Sequence, residues 1–385
     1  MRSFARAAAS PEGGGSRRDG RPVLAERAGV CRAPGPLGKP RAAVAGSLYS
    51  PAPGPPSVSR DPDPIVVPFA ARVDAALART WLDELGDAFA ALGPVGVAGP
   101  GVVVRGVDDL DARARAAARV AIVSDPDPAA LAALPALEWI QSLWAGVETL
   151  LAGTDARVDV VRLVDPGLTR AMAEAALAWT LYLHRDMPRY LAQQRERVWT
   201  YHELVPAAER RVGVLGLGEL GAASARALAA AGFDVAGWSR SAKSIEGIGT
   251  FSGEDGLGAL LERSDVLVVL LPLTDATRGL LDGAALDRLP AGASIVNAAR
   301  GPIVVEADLL ERLDAGRIDH AVLDVFDIEP LPQDHPFWTH PRVTVMPHVA
   351  APTPRRAAAR VAAGAVHRWL ATGERPPAVD RRRGY

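Results

Sequence analysis

Cysteine is almost missing from this chain of 385 residues, with Cys31 the only one. A single thiol excludes an intrachain disulfide and a thiolate metal cluster, so no metal site is expected. Neither sign of charge is in surplus: 43 Lys and Arg face 45 Asp and Glu, a net charge of −2. Nothing in that balance marks a nucleic-acid or anionic-membrane partner. No apolar run approaches the roughly 18 residues of a membrane span. A cytoplasmic protein is the expectation. Against these lacks, hydrophobic residues make up 49% of the chain, enough for sizeable cores. The length suits two domains with some excess.

The excess lies at the start. Residues 1–60 are rich in Gly, Pro, Arg and Ser, and hold ten Lys or Arg against Glu12, Asp19 and Glu26. No amphipathic period is sustained there, so the stretch reads as a disordered extension. It has no apolar core for a secretory signal. Its basic, acid-poor character suits a mitochondrial transit peptide, but Gly13-Gly14-Gly15 and the repeated prolines do not. The simplest expectation is a start codon placed too far upstream.

The rest of the chain is organised around residues 212–233. Val212–Leu215 reads as a buried strand, and an Ala/Leu-rich helix follows a glycine turn. Gly216, Gly218 and Gly221 stand in the G-x-G-x-x-G spacing of a dinucleotide-binding turn. There the first glycine permits the turn, the second admits a pyrophosphate, and the third lets helix pack on strand. The helix N-terminus adds N–H donors and a partial positive charge. A glycine-rich turn without a ligand is the bland reading. The flanking strand and helix, and a second strand over 233–240, favour a nucleotide.

Alternating strands and helices predict parallel sheets. The expected fold is α/β, with two doubly wound, Rossmann-like domains and a cleft between them. Residues 61–165 form one, completed by 349–385, and residues 166–348 form the other. The first has strands at 64–69, 102–105, 118–124, 137–143 and 158–163. The second has strands at 211–215, 234–238, 266–271, 293–297, 320–326 and 343–346. A long helix from Thr169 to about Leu191 precedes the second set, and a last helix covers 355–372.

In open parallel sheets, ligands sit beyond the carboxyl ends of the strands. Three of those ends carry Arg300, Glu329 and His348. A cation to hold a carboxylate, an imidazole to move a proton and a carboxylate to orient it suit chemistry beside a nicotinamide. Each residue alone fits a duller role: a surface ion pair, a turn closed by Glu329, one histidine among seven. The ordered set outweighs those roles. At the end of the second strand stands Ser239, followed by Arg240 and Lys243, whereas an NAD enzyme places a carboxylate there. Asp234 opens that strand and faces its wrong end. NADPH is therefore the expected cofactor, with NADH the alternative.

Val296-Asn-Ala-Ala-Arg-Gly301, Asp324-Val-Phe-Asp-Ile-Glu-Pro330 and Met346-Pro-His348, in that order after the glycine turn, resemble the D-isomer-specific 2-hydroxyacid dehydrogenase family. Residues 237–241, 329–332, 348–351 and 379–385 are similar to its glyoxylate/hydroxypyruvate reductase A branch. The resemblance covers about residues 61–385. It implies that Arg300 holds the substrate carboxylate and carbonyl oxygen, that His348 is the acid/base and that Glu329 is its partner. It also implies that Asp324 contacts the nicotinamide carboxamide. By the same resemblance, Trp144, Ala145 and Gly146 turn backbone N–H groups towards the substrate, with Trp144 where the family has a small residue. Glu219, Leu220, Leu271, Pro272, Ala298 and Ala299 complete the expected cofactor surface. The implied activity is reduction of a small 2-oxo acid, glyoxylate or hydroxypyruvate, by a homodimer that packs through the long helix and residues 187–199. Rival readings are an NADH-dependent dehydrogenase of another 2-hydroxy acid and a non-enzymatic NAD(P)-sensing scaffold.

Overall fold

The protein is described by a computed structural model over residues 63–97 and 99–384. The extension expected over residues 1–60, Cys31 included, lies outside the described residues.

Alternation of short apolar runs with amphipathic segments produces a parallel sheet first. Its elements are β1 (Ile65–Ala71), α1 (Ala75–Leu92), β2 (Val102–Gly106), α2 (Ala112–Ala117), β3 (Val120–Ser124), α3 (Pro128–Ala132), β4 (Trp139–Ser142), α4 (Glu148–Gly153) and β5 (Asp159–Val161). The five strands run in the order β2-β1-β3-β4-β5, all parallel. Helix starts follow local capping rules: Asp74, Asp111 and Asp127 each accept a hydrogen bond from an amide in the first turn of α1, α2 and α3.

Two helices, α5 (Pro166–His184) and α6 (Met187–Glu196), lead to the second sheet. It contains β6 (Arg211–Leu215), α7 (Glu219–Ala230), β7 (Asp234–Ser239), β8 (Gly249–Ser252), α8 (Gly253–Arg263), β9 (Val266–Val269), α9 (Gly283–Arg288), β10 (Ala293–Asn297), α10 (Glu306–Asp314), β11 (Ile318–Leu323) and β12 (Val343–Val345). Its seven strands run β12-β11-β10-β9-β6-β7-β8, again all parallel. The direction of winding reverses between β6 and β9, which puts the end of β6 at the topological switch point.

The last helix, α11 (Arg355–Thr372), packs on the first sheet rather than the second. Its stripe of Ala358, Ala359, Ala362 and Ala363 is fully buried and lets it lie close to Trp81, Leu85 and Phe89 of α1. Burying a side chain such as Leu85 contributes about 1.5–3 kcal/mol. Hydrophobic clusters also cover both faces of the second sheet, as parallel sheets require.

Three sequence expectations need correction. The second sheet has a seventh strand, β8, which four residues without an apolar run do not announce. Strand β11 ends at Leu323, so Asp324 stands just beyond it, and β9 ends two residues before Leu271. The single helix expected from Thr169 to Leu191 is two, because Asp186 adopts a left-handed conformation with φ of 52°. Pro188 explains the break. In a continuous helix its ring would clash with the carbonyl of His184, and it has no N–H to donate. The helix also begins earlier than expected, since Asp165 caps it and Pro166 opens it.

Candidate active site

The loops after β10, β11 and β12 are neighbours because their strands are neighbours. Asn297, at the end of β10, braces the first loop. Its Nδ2 donates to Arg300 O at 3.1 Å, and its Oδ1 accepts from Ala299 N at 3.1 Å. Ala298 and Ala299 are buried, and Ala298 packs with Met172 of α5 and Ala350. Arg300 is thereby directed out of the second sheet, and its Nη1 donates to Ala299 O at 2.6 Å.

The other two loops form a matched pair. Glu329 Oε1 accepts from Phe326 N at 3.0 Å, which fixes the carboxylate against its own turn. Its Oε2 lies 2.7 Å from His348 Nδ1. An ionised carboxylate only accepts, so Nδ1 carries the shared proton. His348 Nε2 has no hydrogen-bond partner among the described residues, and about half of the His348 side chain is exposed. The backbone of His348 has φ of 54°, a conformation that costs a non-glycine residue on the order of 1 kcal/mol. Asp324 holds it there. His348 N donates to Asp324 O at 3.0 Å, while the two Asp324 carboxylate oxygens accept from Val349 N at 2.7 Å and Ala350 N at 2.9 Å. Burial pushes the Asp324 carboxyl up, with the two amide donors opposing it. Asp324 thus shapes the loop that presents His348.

From the first sheet comes the turn after β4. Trp144 N donates to Ser142 Oγ at 3.0 Å, and its indole packs edge-on against Trp81 at 6.1 Å between centroids. Ala145 and Gly146 follow, partly exposed. The Arg300 guanidinium lies against Gly146, where an added Cβ would collide with Nη2. Glu148 also reaches Arg300, its Oε1 3.2 Å from Nε and its Oε2 3.5 Å from Nη2. Sequence reasoning missed Glu148. Its only signal was an acidic residue two places after a glycine expected to face the substrate.

The glycine turn can accept a dinucleotide. Gly216 has φ of 112° and ends β6 so tightly that a Cβ would stand 2.7 Å from Leu270 O. Its amide donates to Trp238 O at 2.9 Å. Gly221 abuts the Gly216 carbonyl, whereas Gly218 faces open space, the condition for a pyrophosphate to approach the backbone. Glu219 and Leu220 open α7, whose first amides lack intrahelical partners. Leu271 is buried beyond β9, and the carbonyl of Pro272 accepts from Thr277 Oγ1 at 2.7 Å. At the end of β7, Ser239 is buried and donates to Ser241 O at 2.8 Å, and Arg240 is exposed. Lys243 Nζ donates to Leu217 O at 2.5 Å, which brings its charge onto the glycine turn. Among the described residues no helix is long and apolar enough to cross a membrane, and no cluster of His, Cys, Asp or Glu could hold a metal ion.

Known proteins resemble this chain in sequence and in fold. Residues 177–350 match the family model described as D-isomer specific 2-hydroxyacid dehydrogenase, NAD binding domain. A glyoxylate/hydroxypyruvate reductase A of Yersinia enterocolitica is 39% identical over 272 residues, covering 69% of this chain and 87% of the relative. A D-isomer specific 2-hydroxyacid dehydrogenase of Xanthobacter autotrophicus Py2, solved with NADPH and MES, superposes with a TM-score of 0.74 at 40% identity, over 83% of this chain and 99% of that one. An NADPH-dependent glyoxylate/hydroxypyruvate reductase of Sinorhizobium meliloti, solved with NADP and sulfate, gives 0.70 at 34%, over 85% and 100%.

Proposed function

The chain belongs to the D-isomer specific 2-hydroxyacid dehydrogenase family, and on that premise we propose that it is an NADPH-dependent reductase of small 2-oxo acids, glyoxylate and hydroxypyruvate. The observation that carries the reading is the Glu329–His348 pair, held by Phe326 N at one end and leaving Nε2 open at the other. A bound nicotinamide supplies the hydride that reaches the carbonyl carbon. His348 Nε2 donates a proton to the carbonyl oxygen as the alkoxide develops. Glu329 keeps the imidazole oriented through Nδ1. Arg300 holds the substrate carboxylate, and the amides of the 144–146 turn face the same group. In the reverse direction neutral His348 takes the proton from the hydroxyl.

The Gly216–Gly221 turn and the N-terminus of α7 receive the pyrophosphate. Ser239, Arg240 and Lys243 receive the 2′-phosphate, a reading supported by the lack of any carboxylate in residues 239–243. Solved relatives that hold NADPH or NADP support the same choice. Residues 61–165 with 349–385 are assigned to the substrate, and 166–348 to the cofactor. The protein acts in the cytoplasm as a homodimer. The test is NADPH or NADH oxidation followed at 340 nm with glyoxylate, hydroxypyruvate and longer 2-oxo acids. The reading expects the two small acids with NADPH to give the highest kcat/KM. Turnover only with NADH, or only with long-chain acids, would overturn it.

A further inference from the structure

We propose that Glu148 is a positioning residue for substrate binding: it clamps one edge of the Arg300 guanidinium and so aims the other edge at the carboxylate of the 2-oxo acid. The inference rests on the function proposed above and adds a residue to it.

A guanidinium has five N–H donors in a fixed plane. Here Nη1 gives one to Ala299 O. Nη2 donates one to Glu148 Oε2 at 3.5 Å, and Nε lies 3.2 Å from Oε1 in the ion pair. Besides the Nε–H, one N–H on Nη1 and one on Nη2 remain, on the two terminal nitrogens of the group. That pair matches the spacing of a carboxylate and binds it in bidentate fashion. Both partners are about one-third exposed, so water screens the pair only in part. The contacts are longer than the roughly 2.7–2.9 Å of a tight charge-assisted bond, so Glu148 orients the group without saturating it. Gly146 stands beside the same group, since a Cβ added there would collide with Nη2. Arginine and glutamate come from different sheets, 152 residues apart in sequence. The clamp therefore fixes the anchoring group relative to the turn that forms the opposite wall of the site.

A competing arrangement makes the opposite forecast. If Glu148 occupied the place of the substrate carboxylate, removing it would free Arg300 and tighten binding. Glu148→Gln and Glu148→Ala are therefore compared with the wild-type protein in the presence of NADP(H). Two measurements are made: the KM and kcat for glyoxylate, and the affinity for oxamate, an unreactive 2-oxo acid analogue, by quenching of tryptophan fluorescence. The expected result is a rise of about tenfold in both the glyoxylate KM and the oxamate Kd for Glu148→Ala. Gln, which keeps one acceptor, should give a smaller rise. kcat should change less than about threefold, and NADPH affinity should not change. In an Arg300→Lys background, where there is no fork to aim, Glu148→Gln should alter KM by less than about twofold. An unchanged or lower KM and oxamate Kd, or an equal effect in the Arg300→Lys background, overturns the clamp while leaving the reductase reading intact. A wild-type protein that neither turns over 2-oxo acids nor binds oxamate overturns both.

Discussion

A missing Cβ at Gly146 decides where Arg300 can lie. An added methyl there collides with Nη2, the far end of a flexible side chain, so the chain can yield by moving the guanidinium rather than the backbone. Gly146→Ala should therefore leave thermal stability near that of the wild type and raise the glyoxylate KM at least tenfold, with NADPH affinity unchanged. A large loss of Tm with normal KM would show that the glycine serves the fold instead. On the cofactor side, Arg240 and Lys243 have different surroundings. Arg240→Ala should weaken NADPH alone, by about 10–150-fold, the worth of one charge-assisted contact, as titrations with both cofactors would show. Lys243→Met should weaken NADH as well, because its ammonium braces the Leu217 carbonyl inside the glycine turn. Equal loss of both cofactors in Arg240→Ala would contradict the phosphate assignment. At this scale, Arg300, Glu329 and His348 could be picked out because each lies on the loop that follows a strand, the region where topology places ligands. Glu148 was not, since its significance is a contact with a residue 152 positions away. The loop-bracing role of Asn297 was hidden in the same way, in a motif that shows spacing but not hydrogen bonds.

Among the elements, strands with four or more consecutive buried apolar residues, such as β6 and β9, could be read from sequence to within two residues. Strand β8 could not, because its half-exposed Gly249-Thr-Phe-Ser252 is held by β7 rather than by its own hydrophobicity. The break between α5 and α6 was written in Pro188 but was overridden by the apolar residues on either side. The pairing of β11 with β12 makes a prediction about pH. His320 is buried on β11, with Nε2 2.9 Å from Thr344 Oγ1 of β12, and burial lowers its pKa from 6.5 to about 4. The unfolded chain thus takes up this proton first as pH falls. Its neutral form stabilises the fold above about pH 6.5, and that contribution, roughly 3 kcal/mol, is lost between there and pH 4. Melting temperatures measured across that window should drop more steeply for the wild type than for His320→Gln. Identical slopes would mean that His320 does not carry the linkage.

For the molecule as a whole, two sheets were expected and two are found, with α11 packing on the first. The segment after α5 shows what one chain alone leaves uncovered. Trp199 is fully exposed, Tyr201 is 79% exposed, and Met187, Leu191 and Leu204 are each more than 40% exposed along the same stretch. Leaving such residues in water is unfavourable, and the proposed second copy would cover them. Light scattering should give twice the mass of one chain, and Trp199→Asp combined with Tyr201→Asp should shift the protein towards monomer. A monomeric wild-type protein would remove the dimer from the account. The proton transfer proposed for His348 draws on all three scales: its Nδ1 lies against Glu329, its loop is held by Asp324 beyond β11, and strand order makes the loops after β10, β11 and β12 neighbours. The most direct measurement is the steady-state rate of NADPH oxidation with glyoxylate for the wild type and for His348→Gln. The expected result is a kcat lower by about 10²–10⁴ in the variant, with NADPH binding retained. Near wild-type turnover by His348→Gln would contradict it.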